Sequence, residues 1–517
     1  MAGSLPSNKG FLNRIERVGN AMPSITMLFL YALIICWVLS FLLSFVDFNY
    51  VNPSTHNKIE VINLFSYQEI VTFLTTIVNN FISFPPLSIT IVATLAIGIA
   101  EGSGFVNTAL KKMLGIISPK MLTPTVAFVG VVAHIVSDSA YVILMPVSAL
   151  MFYASGRHPL AGIATAFAGL AGGFTASYMP SQIDPILQKF TEHGARLLDP
   201  TYNVNVLCNY FFSFGATFGV ILVCWFVTAK IVEPWLNKNC PVDTDREIEQ
   251  NSDVSYIAPN ENRGFRYAGL SIIALVVLLA ALLYPDNSPF RATGSGSLTS
   301  ADAPVMQAIV PLLFIFFAVP GLIYGFVAGT FKSSKDVTNS MENILKSLIS
   351  FIVFCFIAGQ FLYSFNHSNV GVLISMAGAD FLRSLSMPAW LTIIGMILLS
   401  SCINLVITSA TSKWAIMAPV MVPMLMAVGI SPELTQASFR ISAAVNVSTP
   451  MFPFYPLILM YCHKYCKNAG VGTLCSMMIP FSIGIWLVLI VTLFVFWGFE
   501  IPIGFDSGYT YNVVQTQ

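Results

Sequence analysis

A polar pattern broken by proline and glycine occurs twice inside long apolar sequence, and the second copy repeats the first at a constant offset. Ser412 lies 273 positions after Ser139 (412 − 139). The same offset carries Tyr141 onto Trp414, Pro146 onto Pro419, Gly156 onto Gly429, Pro159 onto Pro432 and Thr175 onto Ser448, without a gap. A duplicated, polar and broken membrane segment is the sequence mark of secondary transporters built from inverted repeats, so the chain is expected to fold as two related halves.

Composition supplies the environment. Of 517 residues, 56% are hydrophobic and 9% are charged, against about 25% charged in soluble domains. A spanning helix needs about 20 mostly apolar residues. Candidate segments are 22–46, 87–104, 124–155, 159–178, 207–232, 267–284, 305–328, 345–365, 389–408, 413–430, 434–461 and 473–499. Several are too short, polar or broken for simple spans. The expected fold class is an all-α polytopic membrane protein, with roughly nine transmembrane helices and two re-entrant helical hairpins. The hairpins are placed near 134–146 and 404–419. The first half covers 1–232, a polar linker 233–266, and the second half 267–517.

Basic residues set the orientation. Lys9, Arg14 and Arg17 precede the first span and predict a cytoplasmic N-terminus. Segment 233–266, with Lys238, Arg246, Arg263 and Arg266, and segment 330–346, with Lys332, Lys335 and Lys346, read as cytoplasmic. Segments 47–66 and 285–304 read as external. The first apolar stretch is a full span without a small-residue cleavage site, and so does not read as a cleavable signal peptide.

Several function classes lose support. Net charge is zero, which gives no electrostatic case for nucleic acid. The nine cysteines form no CxxC pair, and most read as small core residues. No histidine pair has metal-ligand spacing, so no metal beyond a possible Na⁺ is expected, and no cofactor. There is no Walker A motif to support ATP-driven transport and no recognisable catalytic triad. The chain is not expected to be an enzyme.

The polar centres are the candidate sites. His134–Ser139 places Ser137, Asp138 and Ser139 between apolar neighbours, and Thr408–Lys413 places Ser409, Thr411, Ser412 and Lys413 in the matching position. Unwound backbone survives in a membrane only where protein or a water-filled cavity satisfies it. Both stretches therefore read as hairpin tips. Their hydroxyls and free carbonyls are hard oxygen ligands suited to Na⁺, and the helix N-termini that follow favour an anion. Ser137, Asp138, Ser139, Asn404, Ser409 and Thr411 are the ion-coupling candidates; Asp184, Ser412, Lys413, Trp414, Arg440 and Asn446 are the substrate-binding candidates. Competing roles stand beside these. Hydroxyls bond back to helix carbonyls, Asp184 before Pro185 suits a helix cap, and Arg440 and Lys413 are able to snorkel. Arg440 is also able to pair with Asp184. Gln360, Asn366, His367, Ser368 and Asn369 form a second polar set, read either as ligands or as a capped helix end.

At these residues the chain resembles the aminobenzoyl-glutamate transporter family, AbgT. The resemblance runs from Arg17-Val18-Gly19-Asn20 to Pro502-Ile503-Gly504. It is carried by Gly156-Arg157-His158-Pro159, by Gly173-Phe174-Thr175-Ala176 leading to Asp184, and by Ala358-Gly359-Gln360-Phe361. Ile403-Asn404-Leu405, Ser409 with Trp414, Val422-Pro423-Met424 and Phe439-Arg440-Ile441 add to it. The resemblance implies a bowl-shaped homodimer that imports p-aminobenzoyl-glutamate or exports sulfonamide-type antimetabolites, coupled to Na⁺ or H⁺. It carries the family's key aspartate onto Asp184, its hairpin serine and tryptophan region near Thr411 and onto Trp414, and its arginine onto Arg440. Two positions depart from it. Ala443 stands where a second aspartate is usual, and Lys413 where a neutral residue is usual. Lys413 is accordingly expected either to replace a bound cation or proton, or to bind a substrate carboxylate.

The chain is therefore expected to be a cation-coupled secondary active transporter of the bacterial inner membrane, in contact with lipid and moving a small aromatic carboxylate. An exporter with the same fold, an ion channel and an intramembrane enzyme are the rivals, in falling order.

Overall fold

A computed structural model describes residues 25–51, 58–115, 121–136, 139–243, 257–346, 348–405 and 407–512. In chain order the first half contains α1 (Ile25–Leu43), α2 (Tyr67–Ile82), α3 (Pro85–Gly102), α4 (Phe105–Gly115), α5 (Leu122–Ala133), α6 (Ser139–Ala154), α7 (Pro159–Gly172), α8 (Ile183–Arg196) and α9 (Tyr210–Val227), and α10 (Glu233–Asn239) follows at the start of the linker. The second contains α11 (Pro259–Leu283), α12 (Pro304–Gln307), α13 (Ile309–Ala328), α14 (Ser334–Lys346), α15 (Ile349–His367), α16 (Val370–Ser384), α17 (Ala389–Asn404), α18 (Ala410–Ala427), α19 (Pro432–Ile441), α20 (Tyr455–His463) and α21 (Val471–Gly498).

Among the described residues, eight helical stretches are long and apolar enough to cross a membrane: Thr26–Leu43, Tyr67–Gly102, Tyr210–Asn239, Pro259–Leu283, Ile309–Ala328, Ile349–His367, Ala410–Ala427 and Val471–Gly498. The chain forms an all-α polytopic membrane protein. Helices α2, α4 and α14 fall between the segments picked out by hydrophobicity. Each carries polar residues on one face, such as Gln68, Glu69 and Asn79 on α2, so a search for uniformly apolar runs passes over them.

The duplicated pattern corresponds to two helix–tip–helix units. In the first, α5 and α6 flank a tip at His134–Val136; Ser137 and Asp138 lie outside the described residues. In the second, α17 and α18 flank residues 405–409. At roughly 1.5 Å per residue, α5 reaches only about 18 Å, short of the roughly 30 Å hydrocarbon core. Helix α18 has 18 residues and meets the length criterion for a span even though it is one arm of such a unit.

The turn that leaves each unit shows why glycine and proline recur. Gly156 (φ +71°) and Gly429 (φ +89°) occupy the left-handed region, which favours a residue without Cβ. Next come a capping side chain and a proline in the first helical turn, where the missing N–H costs nothing. His158 Nδ1 accepts from Leu160 N at 3.2 Å, and Ser431 Oγ accepts from Leu434 N at 3.1 Å. Arg157 extends this turn. Its guanidinium meets Glu233 at 2.6 Å and Thr123 at 2.6 Å and stacks over Phe152 at 4.3 Å, tying the base of the first unit to α10.

Each unit leads into a broken helix: α7 and α8 separated by 173–182, and α19 and α20 separated by a 3-10 segment, Ser442–Ser448, and the residues to 454. The far part of each broken helix packs on the other half's unit. Trp414 of the second unit donates from Nε1 to Thr191 Oγ1 (2.9 Å) and Leu187 O (3.3 Å) on α8. Reciprocally, Tyr141 of the first unit stacks on Phe454 with centroids 4.5 Å apart, and Tyr461 on α20 donates to Val142 O at 3.0 Å. Small residues permit the close crossings. A Cβ on Gly194 of α8 would lie 2.6 Å from Ala418 O on α18, and a Cβ on Gly169 of α7 would lie 2.7 Å from Ala127 O on α5.

The second polar set of the sequence serves a different contact. Gln360 on α15 donates to Ile77 O at 2.8 Å and accepts from Asn80 at 3.0 Å, fixing α15 to α2.

Candidate functional site

The two breaks meet at Arg440, near the end of α19 and 2% exposed. Its Nη1 contacts Asp184 Oδ1 at 2.6 Å and its Nη2 donates to Phe174 O at 3.2 Å. Thr175 Oγ1 donates to Arg440 O at 2.7 Å, so the break of the first half holds the helix of the second by side chain and main chain. Asp184 lies in the first turn of α8, and its second oxygen accepts from Ser181 N (2.8 Å) and Ser181 Oγ (3.2 Å). Asp184 thus pairs with the arginine and fastens Ser181 ahead of the helix, while the N-cap position itself is Gln182, without a side-chain cap bond. The buried Arg440 Nε has no hydrogen-bond partner among the described residues, although buried donors are nearly always paired. His134, from the first tip, lies against Phe174 with ring centroids 6.0 Å apart. The first tip, the first break and α19 are thus contiguous.

Two residues beyond Arg440, the 3-10 segment meets the second tip. Asn404 Nδ2 donates to Ser442 O (3.0 Å) and Asn446 Oδ1 (2.6 Å). Asn446 in turn donates to Thr408 O at 3.2 Å, and Thr449 Oγ1 donates to Leu405 O at 3.0 Å. The Leu405 and Thr408 carbonyls of the tip are therefore satisfied by protein, as unwound backbone at membrane depth requires. Ser409 caps α18, accepting from Ser412 N (3.4 Å) and donating to Ser412 Oγ (3.0 Å). Thr411 lies half-buried in the same helical turn.

Lys413 is 1% exposed. Its ammonium donates to Asn404 Oδ1 and to Ser442 Oγ (2.7 Å), and faces the Phe439 ring at 4.7 Å. Trp414 is fully buried against Phe439, with centroids 4.3 Å apart. In this conformation the tryptophan faces α8 and the lysine faces the tip. Of the sequence-based candidates, Asn404, Ser409, Ser412, Lys413 and Asn446 converge at the second tip, and Asp184 and Arg440 converge at the first break. Ser139 opens α6 at the first tip.

Ser442, Thr191 and Gln436 were not singled out in the sequence. Thr191 joins Trp414 to Gln436, which donates to Asn209 Oδ1 at 2.9 Å. Thr191 lies seven residues after Asp184, two turns along the same face of α8, and that period was the available signal. No such signal marks Ser442 among the many serines of the chain.

The "AbgT putative transporter family" model matches residues 10–511. The chain belongs to the AbgT transporter family. The p-aminobenzoyl-glutamate transport protein of Escherichia coli (strain K12) is 31% identical over 493 residues, covering 95% of each protein. The crystal structure of the Alcanivorax borkumensis YdaH transporter superposes with a TM-score of 0.87 at 34% identity, covering 93% of this chain and 100% of that one. Neisseria gonorrhoeae MtrF, described with a class of antimetabolite efflux pumps, superposes with a TM-score of 0.86 at 35% identity, covering 94% of this chain and 97% of that one. This AbgT chain is thus a multi-pass membrane transporter, and Arg440 and the second tip lie within the matched span.

Proposed function

We infer that the chain moves p-aminobenzoyl-glutamate, or a similar small aromatic carboxylate, across the bacterial cytoplasmic membrane, driven by a Na⁺ or H⁺ gradient. The observation that carries this reading is Arg440. A buried guanidinium whose Nε lacks a partner among the described residues, at the meeting of two broken helices, offers a donor to an incoming carboxylate. Asp184 then exchanges its arginine for a proton or cation as the carboxylate arrives. Alternating access follows from movement of the interlocked units relative to the remaining helices. The protein acts as a homodimer with a cytoplasmic N-terminus in this reading. Efflux of sulfonamide-type antimetabolites is the second reading, supported by the likeness to MtrF.

Reconstituted proteoliposomes test it. Labelled p-aminobenzoyl-glutamate should accumulate saturably under an imposed Na⁺ or H⁺ gradient and stop accumulating when the gradient is dissipated. Movement of labelled sulfonamide alone would favour the efflux reading, and no gradient-driven movement of either would overturn both.

A further inference from the structure

The hydrogen bonds around Lys413 define which charge its surroundings accept. Asn404 spends both amide protons on Ser442 O and Asn446 Oδ1, which leaves its Oδ1 to face Lys413. Ser442 Oγ spends its proton on Phe439 O at 2.7 Å, leaving lone pairs for Lys413 Nζ. The third side is the negative face of the Phe439 ring. Every group turned toward the ammonium is thus an acceptor whose own donors are engaged elsewhere. Such a cage stabilises a cation and repels an anion.

Among the described residues, Lys413 has no carboxylate within ion-pair distance, in contrast to Arg440 with Asp184. A buried unpaired charge is costly, and ionisable side chains in membrane segments are retained for function. A grip on substrate does not account for it: the side chain is 1% exposed and its head is already enclosed.

We propose that Lys413 is a tethered cation filling an oxygen cage made by Asn404 and Ser442 at the second tip, and that removing its ammonium leaves a site for Na⁺. The proposal rests on the reading of the chain as a cation-coupled transporter. It adds that the cation at this tip is covalently built in, so any soluble coupling ion acts elsewhere. Na⁺ is the natural replacement, because amide and hydroxyl oxygens are hard ligands.

The test is cation-dependent unfolding of the purified full-length protein in detergent, comparing NaCl with choline chloride at equal ionic strength. It requires no substrate, so a wrong substrate assignment leaves the readout intact. Lys413→Ala should gain a saturable, Na⁺-specific rise in melting temperature, beyond any shown by the parent, of at least about 2 °C. The gain should vanish in the Asn404→Ala/Lys413→Ala double variant. Lys413→Met, which refills the volume without charge, should show no gain. If Lys413→Ala is recovered only when prepared in Na⁺, that dependence supports the proposal. If it is recovered in neither salt, Lys413→Gln, which keeps a long side chain and adds an oxygen ligand, takes its place in the comparison. A folded Lys413→Ala or Lys413→Gln protein with the parent's Na⁺ response overturns the proposal.

Discussion

At Arg440 a single side chain connects elements from both halves of the chain. Its pairing with Asp184 at 2.6 Å is largely removed from solvent, and breaking such a pair from one side leaves an uncompensated charge. Asp184→Asn should therefore lower stability by about 3–5 kcal/mol. The Arg440→Gln/Asp184→Asn double variant should lose less than the two single losses summed, because both charges are gone. Thermal unfolding of all four proteins in one detergent measures this coupling, and strictly additive losses would contradict it. These two residues were legible in the sequence for the reason that makes them costly: isolated charges stand out in apolar sequence. Of the partners of Lys413, Asn404 was a candidate in the sequence and Ser442 was not, nor was their pairing with the lysine legible. Asn404 and Ser442 lie 38 positions apart and meet only because the 3-10 segment after α19 turns back onto the second tip.

Among the elements, the constant offset relates the turns at Gly156 and Gly429, which need special residues at fixed spacing, whereas the segment expected over 434–461 is interrupted after Ile441 and resumes as a helix at Tyr455. The reciprocal packing of α8 on the second unit and α20 on the first was not legible. Offset identity says which segments are related, not which half they pack against. Nor were the amphipathic helices α2, α4 and α14, whose polar faces break the apolar run. The crossing of α8 and α18 gives a prediction at this scale. A Cβ on Gly194 would meet main-chain Ala418 O at 2.6 Å, where no flexible side chain is able to yield. Gly194→Ala should cost about 1–3 kcal/mol and push Trp414 away from Leu187 and Thr191. Reduced melting temperature together with a changed tryptophan emission spectrum is the expected result, and an unchanged pair of readings would count against this packing account.

Over the whole molecule, two interlocked units meet along one line, from His134 through Phe174 and Arg440 to Ser442 and Asn404. The remaining long helices carry largely apolar outer surfaces, as on α11, where Leu270, Ile273, Val277 and Leu278 are exposed. On the proposed function, both tips, one from each repeat, enclose the same solute. Cysteine protection tests it directly. Of the nine cysteines only Cys402 is exposed, so a Cys402→Ser background with His134→Cys or Thr408→Cys reports each half-buried tip separately. Alkylation by a small water-soluble maleimide should slow at both positions when p-aminobenzoyl-glutamate is added, with the same half-maximal concentration. Protection at one tip alone, or at half-maximal concentrations that differ between the tips, would contradict a site shared by the two halves.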